Sequence, residues 1–175
     1  MIEETEPETV TAPEVLDTVA AAAGRPILLC FDGSDASKHA IAVAGEIAGA
    51  RPAVVLHLWE PPGASWMTAD AFGGMPAWGS EMTEVDSIVR ERAGRLVTEG
   101  VSLAKEQGFE AQGRLEPSPG ANWRAILEIA DEIDAELVVL GARGMSVVES
   151  AILGSVSNAV VHHAKRPVLV VPGVS

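Results

Sequence analysis

The feature that most constrains the fold is an alternation between short apolar runs and longer segments with helical periodicity. Apolar runs lie at residues 26–31, 53–59, 137–140 and 167–171, and residues that favour turns, Gly or Pro among them, flank them. Short continuous runs of this kind are typical of strands buried on both faces of a sheet. A weaker alternation at 110–115 predicts one further strand, the third in chain order.

Apolar residues recur at helical spacing between these runs, and this spacing predicts helices at about 35–50, 81–107 and 155–164. The segment Pro117-Ser118-Pro119-Gly120 is expected to open a further helix, whose apolar face includes Trp123. Two glycines are expected to weaken the second helix, namely Gly94 and Gly100.

Strands that alternate with helices pair in parallel through right-handed crossovers. The expected fold is therefore α/β, a three-layer open sandwich with a five-stranded parallel sheet and helices on both faces. Ligands of such sheets bind beyond the carboxyl ends of the strands, where the winding direction reverses. This rule directs attention to the loops that follow Phe31 and Leu140.

The charge is distributed unevenly along the 175 residues, which suffice for one domain and a tail. Residues 1–24 contain six acids and no Lys or Arg, out of a formal net charge of −13. We therefore predict an acidic, flexible tail over 1–23, with a short helix conceivable at 14–23, and a folded domain over 24–173. The tail is interpreted either as a solvated extension or as a partner-binding or regulatory arm.

The composition excludes several function classes. An acidic chain without clustered Lys and Arg is not expected to bind nucleic acid or an anionic membrane surface. No apolar run reaches the length of a membrane span, and the N-terminus lacks the basic region of a secretory signal. A single cysteine, Cys30, allows no intramolecular disulfide. A cytoplasmic protein is the expectation.

Two spaced glycine clusters follow the fourth predicted strand. Gly141-Ala142-Arg143-Gly144 is separated by nine residues from Gly154-Ser155, which lies at a predicted helix N-terminus. Backbone N–H groups at such a terminus, with a serine hydroxyl, suit a phosphate chain. A loop that uses glycine for turns and serine as a cap explains the same spacing. Arg143 could assist a phosphate or face solvent.

Asp32 is the complementary feature at the end of the first predicted strand. A carboxylate there could accept hydrogen bonds from ribose hydroxyls. Alternatively, Asp32 is a turn residue within Asp32-Gly33-Ser34, and Ser34 or Asp35 caps the helix that follows.

The remaining reactive residue types point to no catalytic or metal site. No phosphate-binding loop with its lysine, serine nucleophile elbow or paired-histidine zinc motif is present in the sequence. His57 is expected as a hydrogen-bonded core residue, and Cys30 as a small buried hydrophobe. His162 and His163 are expected to complement a helix dipole, and catalysis is not supported.

The sequence resembles the universal stress protein family over about residues 25–172. The resemblance is carried by the segments at 31–37, 55–58, 140–144, 153–160 and 166–171. Its ATP-binding members carry G-x2-G-x9-G-[ST], and Gly141, Gly144, Gly154 and Ser155 meet every position of that motif.

The resemblance implies an adenine nucleotide held at the switch point of a sheet with strand order 3-2-1-4-5. Phosphates would meet the glycine motif and the N–H of Val156, ribose would meet Asp32, and adenine would meet the main chain of Leu58. The full set of expected contacts is Asp32, Gly33, Ser34, Leu58, Leu140, Gly141, Arg143, Gly144, Gly154, Ser155 and Val156. The resemblance also implies a homodimer through Pro167 to Val171, an edge strand that needs covering.

The function predicted from these features is that of a non-catalytic, ATP-binding sensor or regulator in the stress response, with Mg²⁺ possible beside the phosphates. Two alternatives stay open: a slow ATPase or autophosphorylating enzyme on the same fold, and a structural dimer without nucleotide. The Trp- and Met-rich segment 60–80 is interpreted as a lid, as a partner surface or as a loop folded onto the body.

Overall fold

The structure is a computed structural model that describes residues 24–49, 51–60, 79–118, 120–142 and 153–173. The predictions for the tail at 1–23, for 61–78 of the Trp- and Met-rich segment, and for Arg143 and Gly144 lie outside the described residues.

Strands and helices alternate along the described chain, as the periodicity predicts. The strands are β1 (Ile27–Cys30), β2 (Pro52–Trp59), β3 (Glu110–Pro117), β4 (Leu137–Gly141) and β5 (Val168–Val171). The helices are α1 (Asp35–Ala48), α2 (Gly79–Glu106), α3 (Asn122–Glu132) and α4 (Ser155–His163).

The strands form one parallel sheet in the order β3-β2-β1-β4-β5, which confirms the predicted topology. The chain moves outward from β1 to β3 and then returns to β4 on the other side of β1. Ile27 of β1 pairs with Ala53 on one side and with Leu137 on the other. The winding direction therefore reverses between β1 and β4, and the carboxyl ends of these two strands lie side by side.

Each face of the sheet carries its own core, because successive strand residues point to opposite faces. Leu28, Val54 and Val138 pack under α3 and α4 on one face. Ile27, Leu29, Val55 and Val139 pack under α1 and α2 on the other. This double burial explains why the strands appear in the sequence as continuous apolar runs rather than as alternating patterns.

Three predicted boundaries are corrected by hydrogen bonds at the ends of the elements. α1 ends at Ala48 because Gly49, with φ of +68°, bonds back to Gly45 O. β3 continues to Pro117, and the N–H of Ser118 still donates to Trp59 O at 2.8 Å. The next helix consequently begins at Asn122, after the turn at 117–120 rather than on it.

The predicted weakness of α2 at Gly100 has a packing reason. A Cβ atom at Gly100 would lie 2.8 Å from the ring of Phe31 and 2.8 Å from the side chain of Val55. Glycine therefore lets α2 approach the sheet closely at this point. Gly94 faces open space, so only the propensity cost remains there. Within the described ranges, no helix is both long enough and apolar enough to cross a bilayer.

Candidate functional site

The Asp32 carboxylate lies just beyond β1 and is bound to the turn that follows it. Its Oδ1 atom accepts hydrogen bonds from the Ser34 amide at 3.0 Å and from the Ser34 hydroxyl at 2.6 Å. The turn role, one of the two alternatives for Asp32, is therefore present. Oδ2 has no hydrogen-bond partner among the described residues, and the side chain is partly exposed. Oδ2 is therefore available for the hydrogen bond from ribose that the sequence predicts.

Side chains of the N-cap residue and of the first turn make hydrogen bonds at the start of α1. Ser34 is the N-cap, as one of the two predictions has it, and its hydroxyl oxygen accepts from the Ser37 amide at 3.2 Å. The Ser37 hydroxyl donates to Ser34 O at 2.9 Å, and Asp35 adds a negative charge in the first turn. Gly33 has φ of +81°, a value that favours glycine in this turn.

Gly141 ends β4 directly against the first turn of α1. A Cβ atom at Gly141 would lie 2.9 Å from the carbonyl carbon of Ala36 and 3.1 Å from its oxygen. A larger residue would therefore force the helix away from the sheet. The side chain of Leu140 is buried in the core, so this predicted contact can reach a ligand only through its main chain.

The two ends of the glycine loop are held together after β4. Gly154 donates its N–H to Ala142 O at 2.7 Å, and the buried Ser157 hydroxyl donates to the same oxygen at 2.8 Å. Gly154 adopts φ of −68° and ψ of 162°, an extended conformation open to any residue. Its N–H is thus occupied, which corrects the expectation of a free amide at Gly154.

Among the described residues, no side chain caps the first amides of α4, in contrast to those of α1. Gly154 is its N-cap and provides no side-chain acceptor, and the first turn holds no acid. The first bond back to the cap is from Asn158 N–H to Gly154 O at 2.9 Å. The amides of Ser155, Val156 and Ser157 precede that bond and point out of the helix end, where the helix dipole is positive. These three amides can receive an anion.

Leu58 presents its main chain to the same edge. In a parallel strand, the N–H and C=O of alternate residues face the same neighbour. Leu56 O accepts from Phe31 N–H at 2.9 Å on the β1 side, whereas Trp59 O accepts from Ser118 on the β3 side. The polar main-chain groups of Leu58 therefore face the β1 side, just beyond the end of β1. This is where a planar base could be read through backbone groups.

Two residues near this edge, His57 and Cys30, are unsuited to act as a base or a nucleophile. His57 is 9% exposed and its Nδ1 donates to Phe31 O at 2.8 Å, which agrees with the predicted core role. Burial and the nearby Asp32 carboxylate raise the pKa of the Cys30 thiol to about 12. The thiol is only partly enclosed by area, yet it packs on the core and stays protonated at neutral pH.

Sequence reasoning missed the two serines that anchor these loops. Ser37 and Ser157 each occupy the third helical position and are 3% and 4% exposed. Ser37 donates its hydroxyl to Ser34 O, the carbonyl of its N-cap residue, at 2.9 Å. Ser157 shares its one hydroxyl hydrogen between Ala142 O at 2.8 Å and Gly154 O, the carbonyl of its N-cap residue, at 3.1 Å. The signal was present as serine three positions after each cap residue, at Ser34 and at Gly154.

These observations define a class of protein. It is a doubly wound parallel α/β domain whose polar backbone groups converge at the topological switch point. The convergence brings together the ends of β1, β2 and β4 and the open start of α4.

The chain belongs to the universal stress protein family, whose model matches residues 24–172. A universal stress protein of Thermus aquaticus is 36% identical over 154 residues, covering 84% of this chain and 98% of that protein. The family resemblance of the sequence is thereby confirmed. The acidic tail lies outside the matched range.

Solved structures of the family share the fold. A universal stress protein from Archaeoglobus fulgidus in complex with dAMP is 25% identical, with a TM-score of 0.58, covering 85% of this chain and 98% of that one. A universal stress protein in complex with cAMP is 26% identical, with a TM-score of 0.57, covering 87% and 99% of the two chains.

Proposed function

We propose that the protein binds an adenine nucleotide, with ATP as the expected ligand, at the carboxyl edge of the sheet. The observation that carries this proposal is the open first turn of α4. Among the residues that the structure describes, its amides at Ser155, Val156 and Ser157 have no competing side-chain cap, and the turn contains no acid. Backbone N–H groups at a helix start hold phosphates without basic side chains, so the net charge of −13 is no obstacle.

The other candidates are proposed to hold the rest of the nucleotide. The free Oδ2 of Asp32 is positioned to accept from ribose, and the main chain of Leu58 faces the space assigned to adenine. Gly141 lets the first turn of α1 lie close against the end of β4, because it carries no side chain that would meet Ala36. Arg143 and Gly144 remain predictions from the motif. A Mg²⁺ ion, if present, would be held chiefly by the phosphates, and Asp32 could assist it.

The relatives support the ligand class rather than ATP itself. Two similar structures hold dAMP and cAMP, which share the adenine ring and a phosphate. The extension to a triphosphate rests on the three adjacent amides of α4 and on the complete glycine motif.

The proposed role is regulatory binding without turnover. Hydrolysis needs a positioned water and neutralisation of the developing charge. His57 and Cys30 are both unsuited to act as bases here, for the reasons of hydrogen bonding and protonation given above. A cytoplasmic location stays a prediction from the sequence.

The direct test is to denature the purified protein, identify released small molecules by mass spectrometry, and titrate ATP, ADP, AMP and cAMP by calorimetry. We expect an adenine nucleotide with the tightest binding for ATP. No released nucleotide together with no calorimetric binding would favour the structural dimer. Incubation with labelled ATP and Mg²⁺ tests catalysis: turnover that disappears in Asp32→Ala would contradict the regulatory role and favour the slow ATPase.

A variant at the helix start tests the location. We expect Gly154→Val to abolish nucleotide binding while the protein stays folded, because its extended backbone accepts a branched residue. Ala164→Val is the matched control, since Ala164 has φ of −68° and ψ of 139° at the other end of the same helix. Unchanged ATP affinity in Gly154→Val would remove the glycine loop from the site.

We also propose that β5 pairs with a second copy. β5 lies at the edge of the sheet, with β4 as its one neighbour within the described sheet. Pro167 O and Val171 O accept bonds on the β4 side, so Val168 and Val170 direct their N–H groups outward. Val170→Pro removes an outward donor and should convert a dimer to a monomer in light scattering. Leu169→Pro, which removes an inward donor, should instead destabilise the fold. A monomeric wild type would contradict the proposal.

A further inference from the structure

A groove lies between α3 and the segment that follows α4, at the opposite end of α4 from Ser155. Its volume is about 440 Å³. Trp123 and His163 form a stacked pair in its lining, with ring centroids 4.4 Å apart and planes inclined by 18°. Leu127 adds an aliphatic surface beside them. The groove thus combines an aromatic wall with apolar area and lies outside the candidate nucleotide site.

Uncompensated positive charge lines this groove on an otherwise acidic protein. The guanidinium of Arg124 lies 5.1 Å from the ring centroid of Trp123. Neither Arg124 nor Lys165 pairs with a carboxylate among the residues that the structure describes. Arg166 is already paired with Asp131, and Glu128 is the remaining carboxylate of the lining. Beyond the pair of Arg166 and Asp131, the lining therefore carries two cations against one carboxylate, an excess of positive charge that favours an acidic occupant.

The N-terminal segment enters the fold beside this groove. Arg25, which follows the segment, donates to Asp134 Oδ1 at 2.6 Å and to Asp134 O at 3.1 Å. Arg166, a lining residue, donates to Ala135 O and to Asp131. Arg25 and Arg166 thus meet the same short stretch at the end of α3. Residues before Gly24 consequently start near the end of the groove that Asp131 and Arg166 line.

The acidic and apolar residues of the segment 1–23 complement the cations and the apolar surface of the groove. Residues 1–23 contain six carboxylates and no Lys or Arg, with Leu16 and Val19 near Asp17. From Asp17 to Gly24 the chain spans about 10 Å as a helix or up to about 24 Å when extended. The groove runs along α3 from Asp131 to Trp123, about 12 Å at the helical rise. The stretch from Asp17 to Gly24 is therefore long enough to follow the groove when it is extended.

We propose that residues 1–23 of this chain dock in the groove between α3 and the end of α4. Their carboxylates face Arg124 and Lys165, and Leu16 or Val19 covers the Trp123 and Leu127 surface. Exposed ion pairs are individually weak, but a tether this short gives the segment a high effective concentration. A second copy of the chain or a separate acidic peptide would lack that advantage.

The test uses the full-length protein with a nitroxide attached to Thr18→Cys. Cys30 stays in place, because its raised pKa of about 12 keeps it from reacting at neutral pH, and unmutated protein serves as the labelling control. We expect selective broadening of amide resonances in α3 and of the Trp123 indole resonance. The broadening should disappear in Arg124→Glu/Lys165→Glu and at about 1 M salt, where the Debye length falls to about 3 Å.

Lys105→Glu is the matched control, since Lys105 lies on α2 over the opposite face of the sheet. It should leave the broadening unchanged. Equal broadening on all helices, or broadening that survives the double charge reversal, would overturn the proposal. Broadening in a mixture of isotope-labelled chains and unlabelled spin-bearing chains would identify a second copy as the occupant and overturn it as well.

Discussion

The starts of α1 and α4 lie at the same edge of the sheet, after the adjacent strands β1 and β4. The two helices differ in whether side chains cap their first amides. Both have a buried serine at the third helical position that bonds to the cap carbonyl. In α1, Ser34 caps the Ser37 amide and Asp35 adds a negative charge. In α4, Gly154 provides no acceptor and the turn holds no acid. The start of α1 is capped by its own side chains, whereas the start of α4 has no such cap among the described residues.

The largest effect should come from giving α4 the start of α1. Gly154→Ser/Ser155→Asp introduces a cap and a carboxylate at the proposed phosphate position. We expect ATP affinity to fall about 1,000-fold, since the repulsion between two like charges at about 4 Å and an effective dielectric of about 20 is worth about 4 kcal/mol. The free energy of unfolding should rise by about 1 kcal/mol from the cap and the first-turn carboxylate together. Calorimetry and urea unfolding measure the two quantities, and unchanged affinity would place the phosphates elsewhere.

The contact between the two regions is tested at Gly141. We expect Gly141→Ala to lower the free energy of unfolding by about 2 kcal/mol, because the new Cβ would overlap the Ala36 carbonyl. Gly94→Ala provides the control, since open space surrounds that position and it should stabilise α2 by about 0.5–1 kcal/mol. Equal urea midpoints for Gly141→Ala and wild type would show that α1 can shift freely from β4.

The capped start of α1 should be a stability element. Ser34→Ala removes the hydroxyl that accepts from the Ser37 amide, so we expect a loss of about 1 kcal/mol in the free energy of unfolding. Ser34→Thr should recover most of it because threonine also caps. Thermal or urea unfolding gives the stability, and calorimetry gives the affinity. A large drop in ATP affinity with unchanged stability would show that Ser34 acts as the predicted nucleotide contact rather than as a helix cap.

The smallest expected effect is a difference in ATP affinity between variants of Ser37 and of Ser157. Ser37→Ala and Ser157→Ala should each cost about 1 kcal/mol of stability, as expected for a buried hydrogen bond. Only Ser157→Ala should also lower ATP affinity, by a few-fold, because Ser157 holds Ala142 O and Gly154 O together. Identical affinities in the two variants would mean that the stem of the glycine loop does not position the ligand.

The sequence predicts the fold well because strand burial and helix periodicity are local signals. The runs at Ile27–Cys30 and Leu137–Gly141 are apolar on both faces, and the structure buries them so. The end of β3 was harder, since its ladder continues through a bond from Ser118 to Trp59, which are far apart in sequence. The occupied amide of Gly154 was hidden for the same reason, because its acceptor, Ala142, lies across the loop.

The bond from Gly154 to Ala142 also has an evolutionary consequence. Gly154 N–H and the Ser157 hydroxyl both bond to Ala142 O. These bonds hold Ala142 and the start of α4 together at the two ends of residues 143–153. Changes of length or composition between fixed ends cost little, because closure entropy grows slowly with loop length. Residues 143–153 can therefore change among descendants of this chain while the sheet and the start of α4, the proposed phosphate position, are inherited intact.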